Sequence, residues 1–407
     1  MIELTAFEPR LLAGPDPRLG AEPYQDHVRR LGPLPPAAGL VETLERSGLG
    51  GRGGAGFPVG SKWRSIAERP GGGPAVVLAN GCEGEPLSRK DRFLMTTRPH
   101  LVLDGAFLAQ RALGAERILL LVAGDLGHAH AAMAVALAER PEAERRSVQL
   151  IAAPARYVTG ESSAATNLAN TGISVPTYVP PRPHQRGVDG APTLVQNVES
   201  LAHVGLIARR GDAWFRAAGR GSAAGTFLAT IHAGAGPVVR ELEAGSPLGE
   251  ALEGAGGLLS GTRAVLLGGY FGSWLPAAEA WGLPLDGPTL QALGLSLGAA
   301  VVAALDVAGC VVCETAVVMR YLAGESSAQC GPCFSGLRAI ADACERIQAG
   351  RPVAGELERL RRWVGEIPGR GACHHPDGAT GFLRSALTRF GAAFEHHQPH
   401  RRVGALA

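Results

Sequence analysis

The sequence predicts an α/β layer with a largely parallel sheet, then a compact α+β module, then a terminal helical bundle. Three observations predict this order. Apolar runs of strand length alternate with helix-like segments up to about residue 153, the pattern of a parallel sheet covered by helices. Past about Gly219 the chain breaks into short β-prone pieces separated by Gly and Pro. From Cys310 onward the apolar positions recur at helical spacing to the end, as in a small bundle.

Each element has its own signal. An irregular, proline-rich start leads into a helix over 40–46, stopped by Gly48, and a glycine-rich loop over 48–60 follows. Residues 75–79 have strand character. Pro99 opens an apolar-periodic helix that ends at Gly114, because Pro suits a first turn and Gly a last one. Residues 118–123 form a second buried strand, Asp125 is placed to cap a helix through Ala138, and 148–152 form a third strand. In the middle module 226–232, 237–241 and 264–267 are strand-like, with a helical stretch near Leu248. Helices are expected over 312–322, 333–347, 355–364 and 381–394.

Composition narrows the class. A chain of 407 residues has room for two or three domains with real cores. Its formal charge is +2 with scattered Lys and Arg, so no basic stripe points to nucleic acid. The start lacks a basic-then-apolar leader pattern, which implies a reducing cytoplasm. Seven cysteines, an odd number, suit ligands or free thiols better than a disulfide framework. The apolar segment 295–319 is interrupted by Asp306 and Glu314 and broken by Gly298 and Gly309. It reads as a buried strand followed by a buried helix rather than a membrane span, in a soluble chain able to dock on a membrane complex.

Cys330-Gly331-Pro332-Cys333, with Cys373 downstream, marks a sulfur site at a helix start, where the dipole and free N–H groups lower thiol pKa values. An iron–sulfur site, a zinc site and a thioredoxin-like dithiol all fit that spacing, as does a buried pair without a ligand. Cys310 and Cys313 form a second such pair, which reads most simply as helical cysteines facing a core, and Cys344 reads as packing. His374 and His375 follow Cys373 and are by default exposed polar residues, although either could ligate metal. Upstream, the segment from Gly51 through Arg52, Gly53 and Gly54 to Gly56 matches G-x-G-x-x-G. A helix precedes it where a dinucleotide fingerprint needs a strand, so a Rossmann site is rejected. Its N–H groups, with Arg52 and Lys62, still suit a phosphate; the plain alternative is a flexible loop.

Residues 51–63 closely resemble the flavin-loop motif of the flavin- and NADH-binding subunit of respiratory complex I, which NAD-linked hydrogenases and formate dehydrogenases share. The segments Asn80 to Pro86 with Lys90-Asp91-Arg92, Tyr157 to Glu161, Ala191 to Ser200, and Glu325 to Cys333 resemble that family's next four motifs in order. The resemblance implies three domains: an α/β FMN-binding domain over 1–219, a β-grasp, soluble-ligand-binding module over 220–290, and a helical iron–sulfur domain over 291–407. It implies FMN held by Gly51, Arg52, Gly53, Gly54, Gly56, Lys62, Asn80, Glu83, Tyr157, Gly160 and Asn197, with Glu161 as the catalytic carboxylate. Cys330, Cys333 and Cys373 would hold a [3Fe-4S] cluster, or a [4Fe-4S] cluster whose fourth iron takes the oxygen of Ser327, at the family's first cysteine position, or else water or another residue such as Cys310 or Cys313. In the family NADH gives a hydride to FMN, and single electrons leave through the cluster to a partner subunit.

The departures fall on one side. Cys82 and Gln196 stand where the family has Asp and Asn on the flavin side. Of the family's nucleotide contacts Phe57 remains, but Ser65 and Arg182 replace aromatics, Ser162 replaces a Glu and Val179 a Lys. Stacked rings supply much of a nucleotide's bound surface, so NAD(H) use is expected to be altered or lost; Arg182 could instead take a phosphate or be a solvated loop residue. The resemblance thus implies an oxidoreductase subunit passing electrons between FMN and an iron–sulfur cluster. Its expected partners are other iron–sulfur or membrane-bound redox subunits at the cytoplasmic face. A cofactor-poor assembly scaffold and a Cys330/Cys333 dithiol oxidoreductase are the alternatives; a helix ahead of the motif, where a thioredoxin-like site needs a strand, weighs against the last.

Overall fold

The computed structural model describes residues 8–69, 73–124, 128–234 and 236–400. Asp125, the expected helix cap, lies outside them. The first sheet has four strands, β1 (Ala75–Gly81), β2 (Ala115–Ala123), β3 (Val148–Ala153) and β4 (Thr193–Asn197). They run parallel in the order β3-β2-β1-β4. A parallel sheet needs cover on both faces, and every residue of β1 is buried. Helices Pro99–Leu113 and Val198–Arg210 cover one face, and Ser162–Thr171 packs on the other through Ala165 and Leu168. The first two touch at Gly105, where a Cβ would sit 1.9 Å from the Leu201 carbonyl oxygen. Only Gly lets the two backbones come that close.

Both expected helix ends fall where the glycines are. Gly48 and Gly114 are left-handed caps at φ 69° and 58°, closing helices Leu40–Ser47 and Pro99–Leu113. The loop after Gly48 is shorter than expected. A helix, Val59–Ala67, begins inside it because Trp63 and Ile66 must reach the core, where both are fully buried.

The second sheet comprises β5 (Thr226–Ala233), β6 (Gly236–Glu243), β7 (Thr262–Leu267), β8 (Ser273–Pro276) and β9 (Val301–Asp306). Its order is β6-β5-β9-β7-β8; β9 pairs parallel to β5 and antiparallel to β7, and helix Leu248–Gly254 lies between β6 and β7 in sequence. The central strand therefore lies beyond the boundary expected at 290. Its buried Val301, Val302, Ala303 and Leu305 feed the cores on both faces.

The last unit packs helices Val311–Gly324, Arg338–Gln348, Glu356–Glu366 and His375–Glu395. A π-helical stretch, Pro332–Leu337, leads into the second of them. The last helix starts earlier than expected, at His375, because Pro376 is tolerated in a first turn where no backbone donor is needed. Trp274 of β8 packs against Phe382, and its backbone N–H donates to Ser385 Oγ at 2.9 Å, so bundle and second sheet share a core. The 295–319 segment is indeed strand then helix, and no described helix is long and apolar enough to cross a membrane.

Candidate functional site

The three units meet around a cavity of about 380 Å³, within the roughly 300–1,000 Å³ of ligand pockets. It lies beyond the carboxyl ends of β1 and β4, where parallel sheets place their ligands. The glycine-rich loop forms one wall. The Gly51 N–H donates to the Phe57 carbonyl at 2.9 Å, Gly54 takes φ 101° and bridges Gly298, and a Cβ on Gly53 would lie 3.4 Å from Asn197 Cβ. Across the cavity Gly84 and Gly160 are equally bare; a Cβ on either would meet backbone oxygen, at 2.7 Å and 3.1 Å. A surface of glycine backbone admits a flat ring system or a phosphate at close range.

Polar groups converge on this surface. Asn80 at the end of β1 donates from Nδ2 to the Gly160 carbonyl and accepts the Cys82 N–H. Asn197 caps helix Val198–Arg210 and donates to Asp91 Oδ2 at 2.7 Å. Lys90 is buried between Asp91 and Glu199, at 2.7 and 2.8 Å. Burial disfavours its charge, but Asp91, Glu199 and Glu83 together hold its pKa above the ordinary value. Glu83 accepts the Ser88 hydroxyl and the Asp91 and Arg92 N–H groups, and burial followed by Asp91 pushes its pKa up. Glu85 accepts the Tyr270 N–H and the Tyr157 hydroxyl; burial pushes it to about 7. Cys82, also on the wall, is a thiol raised to about 12 by burial and by Asp91.

Of the residues expected around a flavin, Arg52, Gly53, Gly54, Asn80, Glu83, Tyr157, Gly160, Glu161 and Asn197 line the cavity. Gly51, Gly56 and Lys62 do not; the glycines close the loop, and Lys62 donates from Nζ to the Val195 carbonyl at 3.1 Å. Arg52 sends one guanidinium nitrogen to the Thr226 carbonyl, and its buried Nε has no hydrogen-bond partner among the described residues. Glu161 caps helix Ser162–Thr171, accepting the Ser163 and Ala164 N–H groups and the Ser163 hydroxyl on Oε2. Sequence reading missed Glu85 as a site residue, and also the loops around Gly268, Phe271 and Ser296 that close the cavity from the second sheet. The pair Gly268-Gly269, both at positive φ, was the available signal.

The sulfur site adjoins this cavity. Cys333 is buried beside Cys330 and within electrostatic reach of Cys373, and Cys373 itself lines the cavity and senses Glu161. Three converging thiols suit a cluster. For Cys333 the helix start does not lower the pKa as expected: burial first, then the neighbouring thiols, pushes it up to about 12, and burial also raises Cys373. Positive charge from iron is what such a group needs to become thiolate. The hydroxyl bonded to Cys333 is that of Ser326, whereas the half-buried Ser327 donates to Gln329 at 3.3 Å. His374 is exposed and pairs with Asp377, but His375 is buried, contrary to expectation; its Nε2 meets the Leu322 carbonyl at 2.8 Å and its ring packs on Tyr157 and Phe271. Cys344 is buried in the core, and Cys310 and Cys313 face His397 and His400.

Phe57 is 53% exposed, Ser65 and Arg182 are exposed, and the Ser65 hydroxyl turns back to the Lys62 carbonyl.

A parallel sheet holding a glycine-lined cavity, with one cysteine of a three-thiol site on its wall, defines an electron-transfer protein of the flavin and iron–sulfur type. Residues 44–206 match the family described as the Nuo51 FMN-binding domain, and residues 314–397 the NADH-ubiquinone oxidoreductase-F iron-sulfur binding region. The chain is similar to the second NADH-quinone oxidoreductase F subunit of Rhizobium meliloti (strain 1021), 34% identical over 378 residues that cover 89% of each chain. The NADH-quinone oxidoreductase F subunit of Rhodobacter capsulatus is 30% identical over 384 residues, 90% of this chain and 89% of that one. Among solved structures, the NAD+-reducing [NiFe]-hydrogenase in the air-oxidized state superposes with a TM-score of 0.79 at 31% identity. That match covers 91% of this chain but 65% of the hydrogenase chain. The protein belongs to the family of NADH-quinone oxidoreductase F subunits, with an FMN-binding domain and a [4Fe-4S]-binding region.

Proposed function

We propose that this chain carries electrons between FMN and one iron–sulfur cluster within a larger redox assembly, with a donor other than free NADH or a much weakened hold on it. The observation that carries this reading is the shared wall: Cys373 lines the same cavity as Asn80, Glu83, Glu161 and Asn197. FMN, when bound, takes electrons in pairs and releases them singly. The chain's own groups would bind and orient it: loop N–H groups toward phosphate, beside an Arg52 whose Nε lies 3.9 Å from Glu199, and Asn80 and Asn197 toward the polar edge. Glu85, whose pKa burial raises, would hold a proton beside the flavin, Glu161 fixes the backbone at 163–164, and Tyr157 stays neutral because burial and Glu85 raise its pKa. The strand order β6-β5-β9-β7-β8 supports a β-grasp class for the middle unit, which we place at 226–306, between a flavin unit and a bundle beginning near Cys310. Docking to partner redox subunits at the cytoplasmic face follows from the same reading.

Anaerobically purified chain, expressed with ample riboflavin and iron, should release about one FMN on denaturation and contain iron and acid-labile sulfide. Flavin without iron would favour the Cys330/Cys333 dithiol reading. Neither cofactor, even after reconstitution, would leave the assembly scaffold.

A further inference from the structure

We infer that Cys310, Cys313, His397 and His400 form a second metal centre, a closed tetrahedral Zn²⁺ site that ties the C-terminal segment to the start of the bundle. One ligand atom from each residue lies within 4.8 Å of all the others. Cys310 Sγ is 3.8 Å from His397 Nδ1, and Cys313 Sγ is 3.9 Å from His400 Nε2. A tetrahedron with Zn–S near 2.3 Å and Zn–N near 2.1 Å has edges of about 3.6 Å, so small side-chain movements would close the shell.

Two of the ligands are already oriented by contacts outside the site's own four donors or by a helix cap. Cys310 caps helix Val311–Gly324, and its sulfur accepts the Cys313 N–H at 3.4 Å, which fixes the sulfur at the start of the helix. His397 turns Nε2 to the Gln348 carbonyl at 3.1 Å. A carbonyl only accepts, so the proton sits on Nε2 and Nδ1 is left with the lone pair that metal needs. The two pairs come from opposite ends of the bundle. After Phe394, the last buried residue among those described, the backbone leaves the helix and has no regular structure at 397–400, yet it returns both imidazoles to the start of a different helix. Ordinary packing of two cysteines against a core explains Cys313, which is buried, but not the convergence of two histidines on it.

The ligand set selects the metal class. Two sulfurs and two imidazoles suit zinc, and four protein ligands leave no open position for substrate, so the role is structural. The site is separate from the cluster. Cys330, Cys333 and Cys373 are not among its donors, and the matched iron–sulfur region, 314–397, excludes Cys310, Cys313 and His400.

Zinc and iron would be counted separately by plasma mass spectrometry on the full chain purified without chelator. About one zinc per chain is expected in the wild type and in a Cys330→Ser/Cys373→Ser variant that has lost its iron. Cys310→Ser/Cys313→Ser and His397→Ala/His400→Ala should each fall below about a tenth of that content, and a protease should then remove the segment after Glu395. Wild type without zinc, zinc unchanged in both double variants, or iron in place of zinc would each overturn the assignment. Should the variants fail to fold, Co²⁺ added to chelator-stripped wild type decides: intense tetrahedral d–d bands with sulfur charge transfer support the site, and a weak octahedral spectrum refutes it.

Discussion

At Glu85 a carboxyl is enclosed by the Tyr157 hydroxyl, the Tyr270 N–H and the Leu87 N–H. Burial raises its pKa from 4.5 to about 7 against those hydrogen bonds. A raised folded-state pKa means the unfolded chain ionises first as pH rises. Stability from this group is therefore full below pH 4.5 and lost as pH climbs through about 7. Glu85→Gln keeps an acceptor without the charge, and its melting temperature should decline less than the wild type's across that window. Parallel melting profiles in buffers spanning it would show that Glu85 does not titrate there. The sequence displayed this residue inside the Asn80 to Pro86 motif, but its partner Tyr270 lies 185 positions away. Spacing cannot reveal such enclosure. Ser326 and Ser327 teach the same lesson: alignment with a motif names Ser327, while folding turns Ser326 toward Cys333.

The segment from Glu325 to Cys333 behaves as one element, anchored where Glu325 accepts the Tyr157 N–H at 2.8 Å. Ser327 follows that anchor by two residues and stands at the first position of the family's cysteine motif. Ser327→Cys should give an ordinary, more oxygen-resistant [4Fe-4S] site, seen as slower bleaching of the cluster absorbance in air. Cys330→Ser, Cys333→Ser or Cys373→Ser should each abolish that absorbance, and an unchanged spectrum would break the assignment. The positions at which the family resemblance implies nucleotide contacts form a second element, where Phe57, Ser65 and Arg182 are exposed. With one ring kept and two lost, NADH should reduce the flavin slowly or not at all, a loss of several powers of ten in affinity. Stopped-flow bleaching at micromolar NADH is the check, and rapid bleaching would refute it. Longer elements were legible because their punctuation is chemical: Pro99 with Gly114 and Leu40 with Gly48 bracket helices that the fold keeps. Strands β4 and β8, of five and four residues, lack a run long enough to show a period, and helix Val59–Ala67 hides behind the glycines that precede it.

Across the whole molecule, Tyr157 joins all three units, packing on Phe271 of the middle one and on Tyr321 and His375 of the bundle. The cavity it borders exists only once the three have docked. The five-stranded sheet constrains how that happens, because its middle position belongs to β9, the last of its strands to be synthesised. While a nascent chain still ends before Val301, β5 and β7 have no strand to pair with on their facing sides. Two sheet edges then stand open to chains on neighbouring ribosomes. The glycine-rich half can form its own parallel sheet during that interval. The electron-carrying half must wait for a six-residue strand to leave the exit tunnel and close the sheet from within.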